Sequence, residues 1–429
     1  MCPLTKDSSG AFPASRCPTV AVWAGWFAVA VAVSSLLSVF LSGLFLACAA
    51  SCWLLDMLRS RRWTLRLPPF GLWLLLYAAV VVVAVVVSPD PWAGLRYLKK
   101  LLRFLGVLLL YTYAARRQVL WGFALVASLG VLSAGWGLVE YAGWKEIDLL
   151  HRVDGFMSHW MTFSGQMMVI TLLLLSVFLR RPGFSWNNHR LGRLTLAAGG
   201  VTGAAVVVTF TRSAWLGLAV GLGFLLALER RKWVLPGLLG LVLGFYLLPY
   251  SFHERLASGL DLKDTTTQGR LELLETGWEM VRSHPWFGVG PRLVQRTAVE
   301  LRGRRFPEEI YQHLHNNPLQ IAAETGLVAL SLWVVWWLVI ARDLWRIRRV
   351  DHEPAATAAS GALAVLVAFH VMGMFEYNFG DSEMFALLGF CVTAPYILAS
   401  SVAVEGGRPA GSKGTDGGEP EVAVEATVV

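Results

Sequence analysis

Charge is scarce in this chain: 15% of its 429 residues are Asp, Glu, Lys or Arg, while 55% are hydrophobic. That balance excludes one or two soluble domains of this length, which would carry about a quarter charged residues. Cysteine is scarce too. Cys2, Cys17, Cys48, Cys52 and Cys391 show no paired ligand spacing and mostly sit in or beside apolar runs, so neither a disulfide framework nor a zinc site is expected. Phe45-Leu-Ala-Cys48 lies too deep behind an apolar run to be a lipoprotein cleavage box, and no cleaved signal peptide is expected. The chain also lacks a P-loop, an HExxH helix, a CxxC set and a glycine-rich nucleotide fingerprint, which argues against ATP, zinc or nicotinamide chemistry. No metal and no cofactor is expected, so the energy for a reaction must arrive with the substrate, as it does in a diphosphate-linked lipid.

What is present in quantity is apolar sequence, with 19 Trp and a mean hydropathy of +0.55. The expected fold class is an all-α polytopic integral membrane protein. A span needs about 20 residues to cross the hydrocarbon core, and twelve apolar runs are candidates. Val20 to Leu55 is too long for one helix and has serines in its middle, so it is expected to be two tightly turned spans. The others are 70–87, 98–115, 119–142, 161–179, 194–210, 213–228, 233–250, 318–341, 356–376 and 383–402. Around this membrane domain of 20–402 lie a short segment, 1–19, and a Gly-, Glu- and Val-rich tail, 403–429, expected to be disordered and cytoplasmic.

Basic residues test this arrangement, because Lys and Arg collect in short cytoplasmic loops. With the N-terminus inside, the loops carrying Arg59 to Arg66, Arg116 and Arg117, Arg180 to Arg193, Arg230 to Lys232 and Arg342 to Arg349 all fall on one side. The net charge of +8 is therefore read as topology, with no nucleic-acid partner expected. Arg96, Lys99 and Lys100 break the pattern, since they would lie at the outer end of a span. On the outer side, Ser251 to Asn317 is the one long loop. Within it Leu271, Leu274, Trp278 and Val281 recur at helical spacing, so an amphipathic helix on the membrane surface is expected over 269–285, stopped by Pro285 and the Gly288-Val-Gly290-Pro291 turn.

The residues that can carry chemistry sit on this outer side. His315 stands at the mouth of the 318–341 span, where a lipid-linked substrate would present its head, and it can exchange a proton near neutral pH. His315 and Asn316 could equally be a helix cap. Arg212 is the one charge in the apolar stretch 194–228, at the turn of a helical hairpin, and is a site candidate or an interface anchor. Arg152 precedes a span and could pair with Asp154, while Arg270 opens the expected surface helix. Three outward arginines would suit a diphosphate, because each guanidinium offers a planar, permanently charged fork. Glu324 is expected to satisfy partners between helices. Glu376, Asp381 and Glu383 form an acidic cluster at the last outer turn, able to orient sugar hydroxyls or to be solvated.

Four segments, RVDGFMSH (Arg152 to His159), TFTRSAWLGL (Thr209 to Leu218), GRLELLETGWEMVRSHPWFGVGP (Gly269 to Pro291) and HNNPLQIAAETGLVAL (His315 to Leu330), resemble the O-antigen ligase family of membrane glycosyltransferases, which includes O-antigen polymerases and protein O-oligosaccharyltransferases. The resemblance implies that Arg212 and Arg270 stabilise the leaving diphosphate, that His315 is catalytic, and that Arg152 assists; Asn316, Glu376 and Asp381 are carried as substrate-binding candidates. It implies an undecaprenyl-diphosphate-linked glycan as donor, lipid A-core or another hydroxyl acceptor, a bacterial inner membrane and a site facing the periplasm. A polymerase would use a second lipid-linked glycan as acceptor. A transporter, the alternative from another class, would instead place ionisable residues near the bilayer midplane.

Overall fold

A computed structural model describes residues 18–143, 152–180, 190–258, 265–303 and 312–405, and the described residues are helices joined by turns. The expected tail beyond 405, the segment before 18 with Cys2 and Cys17, and Arg304, Arg305, Glu308 and Glu309 lie outside the described residues. Cys48, Cys52 and Cys391 are free thiols.

The first apolar run is a hairpin of α1 (Pro18–Ser34) and α2 (Val39–Ser60). Its serines explain the break. Ser34 and Ser35 bond back to carbonyls of Ala30 and Ala32, Ser38 is extended and accepts the Phe40 N–H, and Ser42 reaches across to the Val31 carbonyl at 2.9 Å. These hydroxyls supply partners for backbone groups that a turn would strand in an apolar setting. Next come α3 (Gly71–Val86), α4 (Pro91–Leu98), a 3-10 turn over Lys99–Leu101, and α5 (Leu102–Tyr113). The expected span 98–115 thus begins earlier: Asp90 caps the chain at Ala93 N, Pro91 fills the first turn, and the rod tightens at the two lysines.

Helices α6 (Arg116–Gly143), α7 (Trp160–Arg180), α8 (Arg190–Val208) and α9 (Arg212–Glu229) follow. The expected span 233–250 is shorter than predicted. It is α10 (Val234–Tyr246), after which the chain bends by 108° into α11 (Tyr250–Ala257). Pro249 is the reason, since it donates no N–H and disfavours helical backbone at Leu248. The long connection is itself helical where described, with α12 (Thr265–Ser283) and α13 (Val294–Arg302) before α14 (Asn317–Ile347), α15 (Glu353–Met372) and α16 (Ser382–Glu405).

Every expected apolar run is therefore helical, but fewer are long and apolar enough to cross a membrane unaided. Eight described helices meet that requirement, or nine with the bent pair, and α1 and α3 are shorter apolar helices. Helices α7, α15 and α16 form the centre, each 78% buried across its apolar window, whereas α2 is 17% buried and turns its side chains outward. Helix α12 is two-faced. Leu271, Leu274 and Trp278 are exposed, while Leu273, Met280 and Val281 pack with Leu293, Val294, Leu314 and Ala323 in a small second core. Of the four expected apolar positions, Val281 thus belongs to the opposite, protein-facing side.

Candidate functional site

The site is built where α14 begins. Asn316 is extended and caps the helix, its Oδ1 accepting the Leu319 N–H at 2.8 Å while its Nδ2 donates to the Met374 carbonyl at 3.0 Å. Asn317 does the same for the neighbouring connection: its N–H donates to Gly373 O, its Nδ2 to Asn378 Oδ1, and its Oδ1 accepts the Phe379 N–H. A Cβ at Gly373 would overlap Asn317 Nδ2, so glycine permits this approach. Two consecutive asparagines thereby stitch the turn after α15 onto the mouth of α14. Asn316 is buried, with both ends of its amide engaged within the protein.

That stitch brings Glu376 beside His315. Nδ1 of His315 lies 3.1 Å from Glu376 Oε2, and Oε1 of the same carboxylate accepts from Arg270 Nη2 at 2.9 Å. Glu376 is only 5% exposed. It is therefore not part of a solvated turn, one of the two roles open to it from the sequence. A carboxylate can only accept, so it orients His315 with Nδ1 protonated and Nε2 left as the basic nitrogen. His315 itself has a left-handed backbone, φ 48°, a conformation that costs a non-glycine residue on the order of 1 kcal/mol or more and is held by the surrounding structure.

Arg212 starts α9, and its Nη1 reaches the Arg255 carbonyl and Ser258 Oγ. The bent helix α11 secures this corner: Phe252 stacks on Phe210 at 4.4 Å and lies against Trp215, while Arg255 Nε donates to Phe210 O. Phe210 is another left-handed residue, φ 53°. Arg152 lies over the Trp160 ring at 5.1 Å. Burial pushes its guanidinium below the usual range, and Arg212 and Arg270 push in the same direction while Glu376 opposes them. Arg152, Arg212, Arg270, Glu376 and His315, from five separate segments, thus share one electrostatic neighbourhood.

The Wzy_C family model, described as O-Antigen ligase, matches residues 197–334, from α8 into α14. This stretch is an O-antigen ligase family domain. No curated protein matches the chain. The ligase-family domain contains Arg212, Arg270 and His315, whereas Arg152 and Glu376 reach the same place from outside the matched stretch.

Within that domain the glycine of the His-Asn motif has a defined task. Gly326 breaks α14 with φ 82° and ψ 174°. The freed carbonyls of Ala323 and Glu324 accept the N–H groups of Val289 and Gly290, and Leu327 N–H donates to Pro285 O. The Gly288-Val-Gly290 turn is thus plugged into the broken helix. A Cβ at Gly326 would overlap the Trp286 carbonyl, and one at Gly288 the Glu324 backbone. Glu324 has the interhelical role expected of it, its Oε1 accepting the Arg292 N–H at 2.9 Å; Arg292 is left-handed too, φ 69°.

On the far side of Glu376 lies a cavity of about 690 Å³, bordered also by His159, His313 and Asp381. Asp381 is held away from the arginines, its Oδ2 accepting from Thr162 at 2.6 Å and its Oδ1 from Glu383 N–H. The His313 ring is 4.2 Å from that of His315. Burial, then His315, pulls the His313 pKa down to about 4, so His313 is neutral near pH 7. Burial likewise lowers His159. Among the described residues no group of three or more His, Cys, Asp and Glu is arranged to hold a metal ion. Glu376 as the bridging group and Arg292 at the cavity rim were not singled out from sequence; the positive-φ positions and the buried carboxylate become visible only in three dimensions.

Proposed function

We propose that the chain is a membrane glycosyltransferase that moves a preassembled glycan from undecaprenyl diphosphate to an acceptor hydroxyl at the periplasmic face of the inner membrane, with lipid A-core as the favoured acceptor. The reading assumes twelve crossings with both ends cytoplasmic. The observation that carries it is the Glu376 carboxylate joining His315 to Arg270, which couples a proton acceptor to a cation suited to diphosphate. In the reaction, the acceptor oxygen bonds to the anomeric carbon and its proton passes to Nε2 of His315. The anomeric C–O bond breaks, and its electron pair leaves on the diphosphate beside Arg212, Arg270 and Arg152. Preorganised cations facing a developing charge need no reorganisation during the reaction. Asn316 acts as a positioning residue, through its cap.

A glycolipid gel from a strain lacking the gene, with lipid-linked intermediates assayed in parallel, tests the acceptor. Rough lipopolysaccharide with accumulated polymer on undecaprenyl diphosphate is expected. Lipopolysaccharide capped by a single repeat would assign the chain as a polymerase, and an unchanged ladder would overturn lipid A-core as acceptor.

A further inference from the structure

The cations that break the charge rule remain unassigned: Arg96, Lys99 and Lys100 sit around the tightened turn between α4 and α5 and border the 690 Å³ cavity together with Arg292. None of the four is ion-paired to a carboxylate among the described residues. The acids that share the cavity are turned to other donors. Glu376 accepts from Arg270 and His315, Asp381 from Thr162 and the Glu383 amide, and Glu324 from the Arg292 amide. Lys100 is half-buried between the rings of Tyr97 and Tyr377, 5.3 and 5.7 Å from their centroids, and the two hydroxyls meet at 3.3 Å. Arg292 is carried there by a left-handed backbone, a conformation retained where the side chain's direction matters. Four like charges bordering one chamber repel each other, and an anion would relieve that repulsion.

We infer that this cavity is an acceptor subsite, in which Lys99, Lys100, Arg96 and Arg292 bind an anionic group, a sugar phosphate or a sugar carboxylate, on the molecule that receives the glycan. The inference rests on the transfer reaction proposed above. Its position fits an acceptor, because His313 and Glu376, which border the cavity, both touch His315. A hydroxyl held in the cavity would then lie next to the reactive histidine.

The test uses the full chain in lipid nanodiscs, with one acceptor glycolipid prepared in phosphorylated, carboxylated and uncharged forms. Binding and transfer are measured separately for wild type, the Lys99→Gln/Arg292→Gln double variant and Lys99→Glu. Lys99 and Arg292 are exposed, so the fold is not at risk. The expected result is that the variants bind the charged acceptor about tenfold more weakly and raise its KM to match, as for loss of charge-assisted hydrogen bonds, while donor KM stays where it was. Preference for the phosphate or the carboxylate form names the group. Equal acceptor KM for charged and uncharged forms, or a rise in donor KM instead, would overturn the inference. Binding of the charged acceptor that responds to the substitutions, without any transfer by wild type, would sink the proposed reaction and leave the subsite standing.

Discussion

Each end of the helical bundle holds a largely enclosed glutamate between two nitrogen-bearing side chains, and the two are put together differently. At the end opposite His315, Glu229 lies between Arg180, at 3.2 Å, and Arg348, at 3.6 Å. Ser360 donates to the same carboxylate, and the two arginines also donate to the carbonyls of Arg348 and Leu228. These charges close on one another and join α7, α9, α14 and α15. At the other end Glu376 also has two partners, but one is a histidine with a second nitrogen outside the bond. The other is an arginine 31% exposed at its side chain, and two further arginines stand in range. Left-handed residues sit at Phe210, Arg292 and His315 on this side. A network whose charges close on one another is a staple; a network that keeps a reactive nitrogen open beside a cavity, and holds strained backbone in place, is a site.

The largest effects that would sharpen the contrast are on catalysis. Arg212→Ala and Arg270→Ala are each expected to lower transfer by about 10² to 10³, as when a donor to developing negative charge is lost, and lysine at either position should not restore the rate because it lacks the planar fork. Near-normal turnover at normal protein levels would remove those residues from the reaction. Glu229→Ala should do the reverse. It leaves Arg348 without its carboxylate and Arg180 with only the longer Glu353 pair, and should cost about 3 kcal/mol of stability, read as a lower unfolding midpoint in detergent, with the folded fraction still active. If Glu229→Ala kept its midpoint and lost transfer, the Glu229 network would be no mere staple. A smaller effect concerns pH. His313 binds its proton at about 4 in the folded protein against about 6.5 when unfolded. Between those values the unfolded state holds more protons, so stability falls as pH drops through that window. Substituting His313 by Gln should flatten the slope of the unfolding midpoint there; an unchanged slope would place the titration elsewhere.

Much of the helical layout could be read in the sequence because apolar runs and their polar breaks are local properties. The serine turn of α1 and α2 is one example, and the Asn316-Asn317-Pro318 start of α14 is another. The bend after Tyr246 was missed although Pro249 announces it, since the apolar run continues unbroken through the proline. Arg152, Arg212, Arg270 and His315 stood out one at a time as charges beside apolar sequence, but their meeting depends on how α7, α9, α12 and α14 pack. Glu376 stands out in the sequence as a candidate, but its burial does not. Met374 and Phe375 beside it are exposed, at 50% and 45%, while the carboxylate points inward. A polar turn that hides its acid and shows its apolar residues reverses the usual pattern, and only the Asn317–Gly373 stitch makes sense of it. Gly326 is similar: a glycine inside an apolar helix looks tolerated until the plug that needs its carbonyls is seen.

The most direct measurement is transfer by the purified protein in nanodiscs, with a labelled undecaprenyl-diphosphate glycan and an acceptor glycolipid, comparing wild type with His315→Ala at equal folded amounts. Wild type should form covalent glycan–acceptor product with one undecaprenyl diphosphate released per transfer, and the variant should be slower by about 10² to 10⁴, the contribution of a positioned general base. Equal rates from the two proteins, or movement of labelled glycan across the bilayer without covalent product, would contradict the assignment of the Glu376 end as a transferase site.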